Sequence, residues 1–166
     1  REIDLIDRRS GDRIASLGFG DALRDAHPGA IYHHQGQSYE VADLDLDRDR
    51  AELSPTWADW YTKVLHEKTI AVETDLVEGT LSGREDVPLK FADVTMTKQI
   101  TGYERRDAST GEPLGQTALE LPETTLRTRA LYFTVPPELQ QRLGADGGDF
   151  PGAIHAAEHA MISLMP

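Results

Sequence analysis

The sequence predicts a mainly β (α+β) fold, a small β-barrel or sandwich of short antiparallel strands with C-terminal helices. Three observations carry this expectation. Over the first two-thirds of the chain, short runs rich in β-branched and aromatic residues alternate with Gly, Asp, Ser and Pro turn chemistry. One break, Gly36-Gln37, has strand-forming residues on both sides, as a tight hairpin requires. After Pro136-Pro137 the apolar spacing changes to three and four residues, which is the period of a helix.

Taken in order, Ile3 and Leu5, then Ile14, Ala15 and Leu17, flank Arg9-Ser10-Gly11-Asp12 and predict a first hairpin. Residues 19–26 predict one short helix, stopped by Pro28. Residues 30–35 and 38–44 form the arms of a second hairpin around a Gly-led two-residue turn. Leu44 and Leu46 alternate with Asp43, Asp45 and Asp47, giving one dry face and one wet face. Residues 47–55 read as a polar connection. Trp60, residues 61–64 and residues 69–76 read as further strands, and residues 87–100 as a long extended run. Gly102 marks a bulge or bend, and Asp107 to Gly111 is turn chemistry. Residues 117–121 and 124–135 continue the strand pattern. Residues 137–143 predict a short helix with Pro at its start and Gly144 after its end. Gly147-Gly148-Asp149 is a break, and residues 150–165 predict a final helix. No internal repeat or low-complexity segment is evident. The expected division is residues 1–135 as a β-rich domain and 136–166 as a helical segment starting the next domain.

Composition narrows the function classes. No stretch approaches the ~20 apolar residues of a membrane span, so a cytoplasmic protein is expected. The start at Arg1 without Met, and the ending Ser163-Leu164-Met165-Pro166, suggest a segment with both ends chosen by an experimenter. With no cysteine, disulfides and cysteine-ligated zinc are excluded from these residues. The net charge is −12, from 29 acidic and 17 basic residues. Such a field repels phosphate and argues against strong autonomous nucleic-acid binding. Lysine occurs only at Lys63, Lys68, Lys90 and Lys98, while aspartate is scattered throughout. That balance suggests adaptation to a salt-rich cytoplasm, where screening quiets carboxylate repulsion.

Among motifs, His155-Ala156-Ala157-Glu158-His159 puts two imidazoles on one helical face beside a carboxylate, matching an H-x-x-E-H zinc-peptidase pattern. A hydrolytic site needs a third ligand and a water, and only seven residues follow His159. A zinc hydrolase using this helix is the alternative reading, and an acidic protein-interaction module is another. No G-x-x-x-x-G-K-[S/T] loop and no D-E-x-[D/H] box is present, so these residues carry no ATP chemistry. No catalytic residue and no metal ligand is assigned. Trp57, Trp60, Tyr61 and Lys63, and separately Tyr103, Arg105 and Arg106, could make stacking grooves for single strands. Core packing and pairing with acids explain the same residues. Arg127 and Arg129 share one strand face by alternation.

Two strings carry a resemblance. His27-Pro28-Gly29-Ala30-Ile31-Tyr32-His33-His34-Gln35-Gly36-Gln37-Ser38-Tyr39-Glu40-Val41 resembles the H-x-G-A-x-Y-x-H-x-G-x-x-Y-x-V signature of MrfA-type and Hrq-type DEAD/DEAH-box helicases. Gly152-Ala153-Ile154-His155-Ala156-Ala157-Glu158-His159-Ala160 resembles the G-x-x-H-A-x-E-H-A segment that follows in the same family. The resemblance implies that residues 1–135 are an accessory domain placed after two motor domains and a winged-helix region, with a four-cysteine zinc domain beginning at residues 136–166. It implies ATP and Mg in the parent motor domains, zinc in the part that follows, and DNA as partner through a parent helicase serving genome maintenance. This segment itself would be noncatalytic, guiding nucleic acid or bracing the motor and winged-helix domains. The preferred contact residues, to DNA or a neighbouring domain, are His33, His34, Gln35 and Tyr39 on the hairpin and His155, Glu158 and His159 on the helix. Packing of Tyr32, Tyr39 and one histidine against the last domain is the competing explanation.

Overall fold

The structure is a computed structural model that describes residues 1–164, so Met165, the predicted end of the last helix, lies outside the described residues. The chain divides into two units, residues 1–70 with 96–126 and residues 71–95 with 127–166. This boundary falls inside the long strands.

In the first unit, Ile3 and Leu5 have no exposed surface while Glu2 and Asp4 point outward, the alternation that makes β1 (Glu2–Asp7) a half-buried strand. It pairs antiparallel with β2 (Arg13–Gly18), which runs directly into α1 (Phe19–Asp25), whose Ala22 and Leu23 are buried. β3 (Ile31–His34) and β4 (Gln37–Asp45) form the second predicted hairpin. Its turn is one residue earlier than expected. Gln35 and Gly36 have φ of 47° and 80°, so both central residues are left-handed and the turn is of type I′.

Residues 47–55 are not a polar connection. β5 (Arg50–Thr56) lies at the centre of a five-stranded sheet of order β2-β1-β5-β4-β3. Ala51 and Leu53 are fully buried, alternating with Arg50, Glu52 and Ser54. Two apolar residues give too weak a period to read from sequence; burial on the inner face decides it. β5 is antiparallel to β4 but parallel to β1, the one departure here from the antiparallel expectation. The core is Ile3, Leu5, Ala22, Ala26, Ala30, Val41, Ala51 and Leu53.

A second sheet has the order β6-β7-β8, with β9 also paired to β7. The two strands expected between Trp60 and Leu76 are one, β6 (Trp60–Leu81), and the extended run is longer than predicted, β7 (Arg84–Asp107). β8 (Pro113–Ala118) begins earlier than the predicted 117–121, and β9 (Thr124–Phe133) falls as expected. Gly102 is no bulge. It pairs regularly with Ala118, and the register shift falls at Arg105 and Arg106. Gly102 is needed because a Cβ there would sit 2.6 Å from the Thr117 carbonyl oxygen.

Two of the hairpin turns share one local pattern. Asp7-Arg8-Arg9-Ser10-Gly11-Asp12 and Asp107-Ala108-Ser109-Thr110-Gly111-Glu112 close their hairpins in the same way. In both, the first Asp Oδ1 accepts a backbone N–H two residues on (2.8 Å), and the Gly N–H donates back to the Asp carbonyl (2.7 and 2.9 Å). The hydroxyl of Ser10 or Thr110 accepts the N–H of the residue after the glycine (3.1 and 3.2 Å). Both glycines have positive φ, 79° and 73°, and an L side chain would be strained there.

In the second unit, the Lys90 ammonium reaches Asp75 at 2.7 Å and Glu78 at 3.0 Å, and the Tyr132 hydroxyl donates to Asp75 at 2.8 Å. α2 (Pro137–Ala145) includes Gly144 and ends at Asp146, with Gly147 at φ 74°. The helix thus ends two residues later than predicted, because Gly147 rather than Gly144 takes the left-handed position. α3 (Phe150–Leu164) confirms the final helix. Val135, Leu139, Leu143, Phe150, Ala153 and Ile154 line an apolar groove along the two helices.

Candidate nucleic-acid interface

The β3–β4 hairpin positions four of the expected contact residues. Its register pairs Tyr32 with Tyr39, His33 with Ser38 and His34 with Gln37. His33 is exposed, and its Nδ1 shares a 2.8 Å hydrogen bond with Ser38 Oγ across the strands. Alternation puts Tyr32 and His34 on one face, their rings stacked at 6.2 Å and 13°. Gln35 is exposed at the tip. Tyr39 is half-buried and packs with Tyr32 against the core cluster. Burial, helped by the Asp25 carboxylate, pushes the Tyr32 phenol above its ordinary value, so it stays a neutral donor. The hairpin flanks a hollow of about 270 Å³ lined by Arg24, Asp25, Ile31, Tyr32, His33 and Thr62. Arg24 there is held by Asp25 at 2.7 Å and Asp21 at 3.0 Å, so it offers little net charge to a phosphate.

The start of the signature string does something else. His27 is 1% exposed, its Nδ1–H donates to the Pro28 carbonyl at 3.0 Å, and its ring lies 4.7 Å from that of Tyr103. Gly29 has φ 82°, and a Cβ there would overlap the Tyr103 hydroxyl and lie 2.8 Å from Cζ. These residues seat the second sheet against the first, and Thr62 Oγ1 adds a hydrogen bond from the Ile31 N–H at 3.0 Å. Packing, not contact, explains them.

The two proposed stacking clusters are re-sorted. Tyr61, Lys63 and Arg106 gather around Glu104, whose carboxylate accepts from Arg106 Nε at 2.6 Å and is held below its usual range, chiefly by that bond. Tyr103 instead packs onto His27. Trp57 stands in the loop after β5 with 89% of its surface exposed. Arg127 and Arg129 do share a hollow, of about 520 Å³, with Glu73, Asp93, Val94, Thr95 and Thr128, and Arg129 pairs with Asp93 at 3.1 Å.

On α3, His155 Nε2 lies 3.2 Å from His159 Nε2 and its Nδ1 lies 3.9 Å from Glu158, with the His155 and Glu158 side chains about two-thirds exposed. Among the described residues, no group of three or more His, Asp or Glu side chains is arranged to hold a metal ion. Without a third ligand the helix does not make a hydrolytic zinc centre, so the zinc-hydrolase alternative is not favoured.

No protein-family model matches the chain. It is 28% identical over 135 residues to the ATP-dependent helicase YprA of Bacillus subtilis, covering 79% of this chain and 18% of that one. It is 24% identical to the ATP-dependent helicase HRQ1 of Saccharomyces cerevisiae, covering 84% of this chain and 13% of that one. The chain thus spans less than a fifth of these relatives' length. Among solved structures, the DUF1998 helicase MrfA bound to DNA matches 83% of the chain and 19% of its own, with a TM-score of 0.67 at 24% identity. MrfA bound to DNA and AMPPNP matches 76% of the chain and 16% of its own, with a TM-score of 0.58 at 22% identity. The chain is a relative of a segment of the YprA and Hrq1 ATP-dependent helicases, built on a fold that part of MrfA shares.

Proposed function

We propose that this chain is a noncatalytic domain of an ATP-dependent DNA helicase of the DEAD/DEAH type, guiding a nucleic-acid strand and bracing its neighbours. The observation that carries this reading is the match to YprA across four-fifths of the chain and less than a fifth of the relative. ATP and Mg then belong to motor domains elsewhere in the parent polypeptide. The residues present do not fit a nucleotide, since no glycine-rich loop with a Lys precedes any helix. They do not fit zinc either, having no cysteine and, among the described residues, no group of three ligands that includes His155 and His159. Zinc is assigned to the part that follows α3, and the motor and winged-helix domains to intramolecular partners. A cytoplasmic role in DNA repair, in a salt-rich cell, completes the reading. No described helix is long and apolar enough to cross a membrane.

Within this domain His33, His34, Gln35 and Tyr39 are the contact residues toward DNA, because the hairpin tip presents imidazole and amide groups that bond phosphate. His155, Glu158 and His159 face a neighbouring domain. The test uses the full-length helicase with His34→Ala, and with Tyr39→Phe, which keeps the ring packed on the core. Unwinding is expected to fall several-fold with His34→Ala while ATP hydrolysis and thermal stability hold. Undiminished unwinding, or a drop in stability alone, would return the hairpin to a packing role.

A further inference from the structure

Trp57 is a large aromatic left in water, forgoing the stabilisation that burying an apolar ring gives. Its loop is fixed. The Ala58 N–H donates to Thr56 Oγ1 at 3.3 Å, and the Asp59 carbonyl accepts from the Ala108 N–H at 2.8 Å. The topology decides what surrounds it. Because β5 runs parallel to β1, with Asp7 opposite Leu53 and the Arg8 N–H bonded to the Leu53 carbonyl, the Arg8-Arg9 turn leaves the sheet at the same end as Trp57. Because Thr56 pairs with Ser38, the hairpin tip at Gln35 lies at that end too. From β1 through β5 and β4 to β3 is three strand spacings, about 14 Å.

The chemistry of this edge selects its partner. In the three loops, Trp57 is the sole large apolar side chain; the others are Arg, Asp, Ser, Gln, Gly and Ala. A protein hot spot needs a surrounding ring that excludes water, which this edge lacks, whereas a lone ring flanked by cations and amides suits a nucleobase and its phosphates. Arg9 has no ion-pair partner among the described residues, and Arg8 reaches Glu52 only at 3.7 Å. Asp7, Glu52 and Asp107 are engaged by the Arg9 N–H, by Arg50 and by the N–H groups of Ser109 and Thr110; Asp12, Asp59 and, in the turn bonded to Asp59, Glu112 remain.

We infer that this end of the first sheet is a single-stranded nucleic-acid site in which Trp57 stacks on a base while Arg9 and the His34–Gln35 tip hold the adjoining backbone. The inference rests on the helicase-domain reading and adds the stacking residue and the strandedness. With a net charge of −12 on the chain, stacking rather than counterion release carries the affinity, so the salt dependence is shallow.

The experiment titrates the 166-residue chain with a fluorescein-labelled oligothymidylate, following anisotropy, and reads tryptophan emission in a Trp60→Phe background where Trp57 is the only indole. Saturable quenching is expected, with affinity lost about tenfold or more in Trp57→Ala and largely kept in Trp57→Phe. Thermal stability should not change, since the ring is exposed. If the oligonucleotide binds with Trp57 emission unchanged, or Trp57→Ala binds as tightly while His34→Ala does not, the inference falls and the helicase-domain reading stands. If the chain shows no binding in anisotropy even at low salt, the inference falls, and the hairpin contact is decided separately by the His34→Ala unwinding test in the full-length helicase.

Discussion

His27 is a neutral imidazole sealed in the first unit. Its Nδ1–H is spent on the Pro28 carbonyl, and its Nε2 is buried with no partner. Burial pushes its pKa below the ordinary value, outweighing the Pro28 carbonyl and the Asp25 charge, which act the other way. The unfolded chain therefore takes up the proton more readily than the folded one. His27's contribution to stability is complete above the unfolded pKa of about 6.5 and is lost as pH falls through the lower folded value. Urea midpoints taken from pH 7.5 down to 5 should decline, and His27→Phe should flatten that decline. An unchanged slope in the variant would place the titration elsewhere. From the sequence, His27 and Gly29 look like part of one contact string with His33 and His34. Only the packing of Tyr103 separates residues that build the domain from residues that face outward.

Among the elements, β5 was the one hidden from the sequence. Its apolar content is Ala51 and Leu53, set in Asp, Arg and Glu that resemble a solvated loop. Both residues nevertheless have zero exposed surface, and β5 joins β1 to β4. Leu53→Ala should destabilise the chain by about 2–5 kcal/mol, read from urea unfolding by circular dichroism. A change below about 0.5 kcal/mol, the scale of surface substitutions, would contradict a central β5. The hairpins were legible because their turn residues act locally. The recurring Asp turn shows how strongly: hydrogen bonds from Ser109 Oγ and the N–H groups of Ser109 and Thr110 hold the Asp107 carboxyl down to about 2. Strand lengths were not legible, since β6 continues through 22 residues that are almost all exposed beyond Leu65, with no burial period to read.

At the scale of the whole molecule, an acidic surface is easier to reconcile with the proposed DNA contact if the charge reports habitat. The ion pairs described are mostly exposed, as at Arg1–Asp49 and Arg13–Asp4, and such pairs contribute about 0–1 kcal/mol each. Net repulsion among the carboxylates is therefore not offset locally, and screening should stabilise the fold. The thermal midpoint is expected to rise steadily from 0.1 to 2 M KCl. A midpoint already maximal in dilute buffer would remove salt adaptation from the account.

The sequence by itself determined what short-range chemistry can determine: the mainly β class, both hairpins, the helix after Pro136, the lack of cysteine and of a G-x-x-x-x-G-K-[S/T] loop in these residues, and the likeness to helicase segments. The tertiary structure decided what depends on partners distant in the chain. It made β5 a core strand, turned Tyr103 onto His27 and Gly29, and set the Arg8-Arg9 turn, Trp57 and the hairpin tip at one sheet end. The physical reason is that turn and capping bonds join residues two to five apart, whereas the parallel β1–β5 pairing joins residues 46 apart, and no local pattern in the chain encodes it.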